Sequence, residues 1–139
     1  MSVYRPAFDS AAFNATSKGF LPGLLGIRVL EIGQGRVLAV LGIRKDHQSP
    51  NGFLHAGTVV TLADTACGYG CIAHLPEGAK GFTTIELKSN HLGTAMDGTI
   101  EAEAAAVHLG RSTQVWDATV RRQADRKTIA LFRCTQMIL

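Results

Sequence analysis

The stretch AGTVVTLADTACGYGCIA, residues 56–73, is apolar or small at almost every position. A helix of that length spans ~27 Å. A helix on a protein surface keeps one polar face, and this segment shows none, so it belongs inside a domain. Pro76-Glu77-Gly78 closes it. The remainder of the chain must then provide the wall around this helix.

Working outward toward the N-terminus, residues 46–54 form a polar loop containing Pro50-Asn51-Gly52. Before it, Leu24–Ile32 and Arg36–Arg44 flank Gly33-Gln34-Gly35 and predict a hairpin. Pro22, within Gly19–Gly23, breaks the preceding segment, in which Ala7, Phe8, Ala11, Ala12 and Ala15 recur at helical spacing. Residues 1–20 are therefore an N-terminal helical segment. Toward the C-terminus, residues 82–92 alternate, with Thr83, Ile85, Leu87, Ser89 and His91 on one face. Residues 99–109, 112–121 and 128–138 follow as strands. Gly110-Arg111 and residues 123–126 are turns between neighbours, the mark of an antiparallel meander. Helix, two strands, buried helix and four strands make an α+β fold, with residues 1–139 as one domain.

Hydrophobic residues make up 46% of the chain and charged residues 18%, which excludes disorder. Charges and glycines interrupt every apolar run short of the ~20 residues of a membrane helix. Met1–Pro6 carries no secretory signal, so a cytoplasmic location is expected. The net charge of +3 is mild, and its one cluster (Arg121, Arg122, Arg126, Lys127) is not interleaved with aromatics, unlike a nucleic-acid surface. The phosphates of a small anionic ligand suit such charges better. Cys67 and Cys71 share a helix face but lack a third and fourth ligand nearby, so they read as small core fillers and no metal is expected. His47, His74, His91 and His108 share no spacing and read as surface or strand residues; Trp116 reads as core or subunit contact.

Asp64 is the only carboxylate between His55 and Glu77, in the middle of the helix least able to solvate it. Burying an unpaired carboxylate costs several kcal/mol. Either Thr61, Thr65 or strand amides bond it, or it carries function, since perturbed carboxyls cluster at active sites. His55-Ala56-Gly57 stands at the start of the same helix. There the first N–H groups lack intrahelical acceptors and the positive end of the dipole can hold an oxyanion. Gly57 would let a ligand approach closely.

Taken together, Gly52-Phe53-Leu54-His55-Ala56-Gly57 and the acid nine residues after the His resemble the phenylacetate-pathway (PaaI-like) branch of hotdog-fold acyl-CoA thioesterases. Residues 84–92, TIELKSNHL, are similar to the family's next strand, and residues 107–112, VHLGRS, to a later strand-turn-strand segment. The resemblance implies a hotdog fold, a long helix wrapped by a six-stranded antiparallel sheet. It implies hydrolysis of an aryl-, arylacetyl- or medium-chain acyl-CoA, with Asp64 as general base or nucleophile. The Ala56 N–H would polarise the thioester carbonyl, His55 would support it, and Thr84 would help to place water. Gly110, Arg111 and Ser112 would meet the nucleotide end of coenzyme A, which is part of the substrate; no cofactor is implied. Where the family often carries Asn or Gln six residues before the His, this chain has Ser49, with Gln48 or Asn51 as substitutes. The other readings are a hotdog hydratase or dehydratase and a non-catalytic acyl-CoA-binding protein. Finally, Ala56 and Asp64 are separated by ~12 Å along the helix. That spacing predicts a homodimer with shared sites, alone or doubled into a homotetramer.

Overall fold

The computed structural model describes residues 3–139. Helix α1 (Ser10–Thr16) starts at Asp9, whose carboxylate accepts the Ala12 N–H at 2.8 Å. Its buried Phe13 stacks on Tyr69 at 4.3 Å between ring centroids. A second short helix, α2 (Leu21–Leu25), follows. Pro22 sits in its first turn, where the missing N–H has no partner to lose, and Gly26 ends it at φ 79°. The hairpin therefore begins later than the sequence suggests. Leu24 and Leu25 are helical, and β1 runs only over Arg28–Gly33 before β2 (Arg36–Gly42).

Helix α3 occupies Ala56–Ala73, the bounds read from its composition. Strands β3 (Phe82–His91), β4 (Thr99–Leu109), β5 (Thr113–Arg122) and β6 (Thr128–Ile138) complete a six-stranded antiparallel sheet in the order β1-β2-β4-β5-β6-β3. The meander holds for β4, β5 and β6. Strand β3 stands outside it: β4 already has β2 and β5 as neighbours, so β3 crosses over and pairs with the free side of β6. Both β1 and β3 are sheet edges.

The sheet wraps α3. Leu62, Ala63, Ala66 and Cys67 of the helix are sealed against Leu41, Ile100 and Val120 of the strands. The approach is closest at Gly70, where a Cβ would lie 2.7 Å from the Trp116 ring. Cys67, Cys71 and Cys134 are free and buried. His74, read from sequence as a surface or strand residue, is instead the fully buried C-cap of α3. Its Nδ1–H donates to the Gly70 carbonyl at 2.7 Å, and its Nε2 accepts the Gly35 N–H at 2.9 Å. The buried Gln114 amide donates to the His74 carbonyl and accepts the Trp116 indole N–H. His47 is likewise buried, not superficial.

The helix is not enclosed on every side. Ala56 and Gly57 are exposed, and Val60, Thr61, Asp64 and Thr65 are half-buried, forming one stripe that the sheet leaves uncovered. On edge strand β3, Ile85 and Leu87 are 51% and 43% exposed. Among the described residues no helix is long and apolar enough to cross a membrane.

Candidate active site

At the start of α3, His55 is the N-cap, in extended backbone. Its Nδ1 accepts the Gly57 N–H at 2.7 Å, and its carbonyl accepts the Thr58 N–H at 3.0 Å. The Ala56 N–H alone is left with no acceptor among the described residues. A Cβ at Gly57 would stand 2.9 Å from His55 Nδ1, so this glycine makes room for the cap. The His55 N–H is anchored on the His47 carbonyl at 3.0 Å. Its imidazole supports the helix start and leaves the Ala56 N–H as the open donor at the positive end of the dipole.

Asp64 lies two turns further along the uncovered stripe. Its Oδ1 is buried and accepts no hydrogen bond among the described residues. Thr61 does not serve it, because that hydroxyl donates to the Gly57 carbonyl at 2.8 Å. The reading in which neighbours satisfy this carboxylate is therefore set aside. Burial, with no cation to oppose it, pushes the Asp64 carboxyl above the ordinary range. A carboxylate that is poorly solvated and unpaired is a better proton acceptor than one in water.

The other sequence-derived residues fall in three places. In the loop before His55, the Ser49 backbone makes a turn, its N–H donating to the Phe53 carbonyl and its carbonyl accepting from the Gly52 N–H, while its hydroxyl makes no bond among the described residues. Of its two possible substitutes, Asn51 Oδ1 accepts the Phe53 N–H and Gln48 Nε2 donates to the Met96 carbonyl, which leaves the other end of each amide free among the described residues. On β3, the Thr84 hydroxyl donates to Gln136 Oε1 at 2.7 Å, so it can offer a water only a lone pair. In the β4–β5 turn, the Gly110 N–H donates to Thr113, and the Ser112 carbonyl accepts from Ile138.

Arg111 lines a cleft of about 720 Å³ with Tyr4, Arg5, Pro76 and Glu77, beyond the C-terminal end of α3. His55 and Gly57 line another, of about 440 Å³, at the opposite end of that helix. Its remaining wall includes Leu24, Leu25, Arg44 and His47, which sequence reasoning did not assign to a site. The missed signal was Pro22 and Gly26, a helix start and stop around α2. One chain thus does not bring Arg111 to Ala56; a helix ~27 Å long separates their ends. Among the described residues no group of three or more His, Cys, Asp or Glu could hold a metal ion.

Residues 51–129 match the Thioesterase superfamily. The 1,4-dihydroxy-2-naphthoyl-CoA hydrolase of Listeria monocytogenes is 31% identical over 80% of this chain and 89% of its own length. The enzyme of that name from Escherichia coli is 31% identical over 89% of this chain and 90% of its own. Among solved structures, a mutant of thioesterase PA1618 from Pseudomonas aeruginosa superposes with a TM-score of 0.93 at 29% identity, covering 99% of both chains. The PaaI protein of the E. coli phenylacetic acid degradation operon gives 0.81 at 25% identity, covering 94% of both chains. The sheet wrapped around α3 is the hotdog fold, and this chain belongs to the thioesterase superfamily as one of its thioester-hydrolysing enzymes.

Proposed function

We propose that this protein hydrolyses an aryl- or arylacetyl-CoA thioester, with medium-chain acyl groups as the wider class, at sites shared by two copies of the chain. The single observation that carries the reading is Asp64: a carboxylate with an unpartnered oxygen among the described residues, its pKa raised by burial, on the open stripe of the central helix. A thioester carbonyl is reactive enough that one donor and one positioned base suffice, without a metal or added cofactor. The Ala56 N–H draws charge onto the carbonyl oxygen. Asp64 takes a proton from water as the new C–O bond forms, and the C–S bond then breaks to release coenzyme A as thiolate, which recovers the proton. Direct attack by the Asp64 carboxylate, with later hydrolysis of the anhydride, uses the same geometry.

Geometry requires the second copy. Donor and base must meet at one carbonyl with reacting atoms ~3–3.5 Å apart, and eight residues of helix hold them ~12 Å apart. Two antiparallel helices resolve this, placing the N-terminus of one beside Asp64 of the other. The open stripe of α3, with its small residues, and the exposed apolar Ile85 and Leu87 on edge β3 are surfaces suited to that contact. The pairing also carries the Arg111 cleft of one copy toward Ala56 of the other, where the cation can meet coenzyme A phosphates. Ser49 offers the free hydroxyl of the loop, and Thr84 the lone pair for water. A cytoplasmic location accords with a coenzyme A substrate. A binding protein without turnover would have no use for a raised carboxyl.

The test is thiol release from benzoyl-, phenylacetyl- and octanoyl-CoA by purified protein, read with a thiol reagent. Turnover of the aryl thioesters is expected. Absence of release from all three at high enzyme concentration would overturn the proposal.

A further inference from the structure

Strand β6 turns Phe132, Cys134 and Gln136 inward, and all three are buried. Gln136 is the polar member of that row, at a place where a leucine or methionine would need no hydrogen-bond partner. Buried amides in native proteins are bonded, and this one is bonded at both ends. Its Oε1 accepts the Thr84 hydroxyl at 2.7 Å, and its Nε2 donates to Cys134 Sγ at 3.4 Å. On its other flank stands Gln114, its register partner on β5, whose amide is already taken by the His74 carbonyl and the Trp116 indole. The short bond of Gln136 is therefore the one that holds the hydrogen of Thr84. Thr84 in turn faces the part of α3 that carries Asp64. Directly opposed side chains of an antiparallel ladder lie on one face. Phe82, Thr84 and Leu87 oppose Ile138, Gln136 and Cys134, so they line the inner side of β3. The Phe82 ring comes within 3.2 Å of where a Gly68 Cβ would stand, one helical turn after Asp64 on the same face. Cys134, opposite Leu87, meets the thiol of Cys67, the residue before Gly68. Thr84 lies between these two contacts and is half-buried, with a side left open.

We infer that Gln136 is a positioning residue: by taking the Thr84 hydrogen it leaves Thr84 Oγ1 with lone pairs alone, so that two acceptors, Thr84 and Asp64, orient the attacking water. The inference rests on the thioesterase reading and deepens it. A water that gives one hydrogen to Thr84 and the other to Asp64 turns an oxygen lone pair toward the thioester carbonyl. Its proton passes to Asp64 as the C–O bond forms, the C–S bond breaks, and the coenzyme A thiolate recovers the proton. An alcohol has a single hydroxyl hydrogen. Given to Asp64, it leaves the Thr84 lone pair unpaired, and a site built around a hydrogen bond rejects the molecule that cannot make it. Water is thereby selected over alcohols as the nucleophile.

The test reads which nucleophile is used. Phenylacetyl-CoA is turned over in aqueous methanol of one fixed composition, and methyl phenylacetate and phenylacetate are separated by chromatography. Their ratio does not depend on how much of a variant is folded, so a merely structural defect leaves it unmoved. Gln136→Met keeps the length of the side chain, removes the amide, and frees the Thr84 hydrogen to donate to an alcohol oxygen. Thr84→Val, at a half-buried place on an edge strand, removes the hydroxyl itself. Each is expected to raise the ester-to-acid ratio about threefold or more, the size of one hydrogen bond, and to lower kcat with KM little changed. Because Gln136 acts through Thr84, the double variant should match Thr84→Val alone. A wild-type ratio in Gln136→Met or in Thr84→Val overturns the inference, as does a double variant in which the two effects multiply. If the wild type releases thiol while the ratio stays fixed, the thioesterase reading stands without the inference; if the wild type releases no thiol, both fail.

Discussion

Replacing Asp64 by Asn should make this protein more stable and nearly inactive at once. The side chain keeps its shape while the charge and the proton-accepting function are removed. A buried carboxylate oxygen without a partner costs several kcal/mol, whereas an amide in the same place costs about 1–3 kcal/mol. The variant should therefore gain on the order of 1 kcal/mol at neutral pH, which for a chain of this size is roughly 3–5 °C in Tm. The pH dependence has a definite sign. Burial raises the folded-state pKa of Asp64 above its ordinary value of 3.8, so between those two values the folded chain binds more protons than the unfolded one. Wild-type stability then falls as pH rises through that window, and the amide of the variant cannot titrate. The gain should be full above the raised pKa and vanish below 3.8, where Asp64 is protonated in both states. Scanning calorimetry across that range, at fixed chain concentration, reads one half of the prediction. Steady-state hydrolysis reads the other, with kcat expected to fall on the order of 10²–10⁴-fold. A variant that is no more stable at neutral pH and turns over near the wild-type rate would refute the reasoning.

If Arg111 meets a coenzyme A phosphate, Arg111→Ala should raise KM with kcat little changed, and added salt should narrow the gap because the contact is exposed. An unchanged KM at low salt would place the nucleotide elsewhere. Ala56→Pro deletes the open N–H in a first helical turn that tolerates proline, and this single change should abolish turnover. Unfolding and refolding it with equal amounts of Asp64→Asn chains should return roughly a quarter of wild-type activity, since half the dimers are mixed and each holds one intact site. Mixed dimers without activity would put the whole site in one chain. Gly70→Ala should lower stability by about 1–3 kcal/mol, read by denaturant melting, because its Cβ would lie 2.7 Å from the Trp116 ring. A neutral result would mean that the ring can withdraw.

The central helix was legible from the first residue to the last because eighteen residues without a marked polar face call for packing within the domain, although the sheet leaves one stripe of them open. Alternation marked β3 and local turns marked the β4–β5–β6 meander, whereas the start of β1 was read into what is α2. The placement of β3 beside β6 was not legible, since it depends on which sheet edge remains free after β2 has paired with β4. Asp64 stood out by its loneliness in the sequence. That its Oδ1 has no partner is a property of what surrounds it in space, and no count of neighbouring hydroxyls could decide it. His55, Ala56 and Gly57 were found as a group. Their division of labour, with His55 consuming the Gly57 N–H and Ala56 left open, depends on one side-chain rotamer. His47 and His74 had no periodicity to betray them, and their burial follows from contacts far away in sequence, such as the Gly35 N–H on His74. Composition and spacing thus determine what is decided within a few residues along the chain: the central helix, the strands and the lone carboxylate. Tertiary structure decided the pairing of β3, the open stripe of α3 and the cleft behind α2, because these depend on surfaces that meet only after the chain has closed on itself.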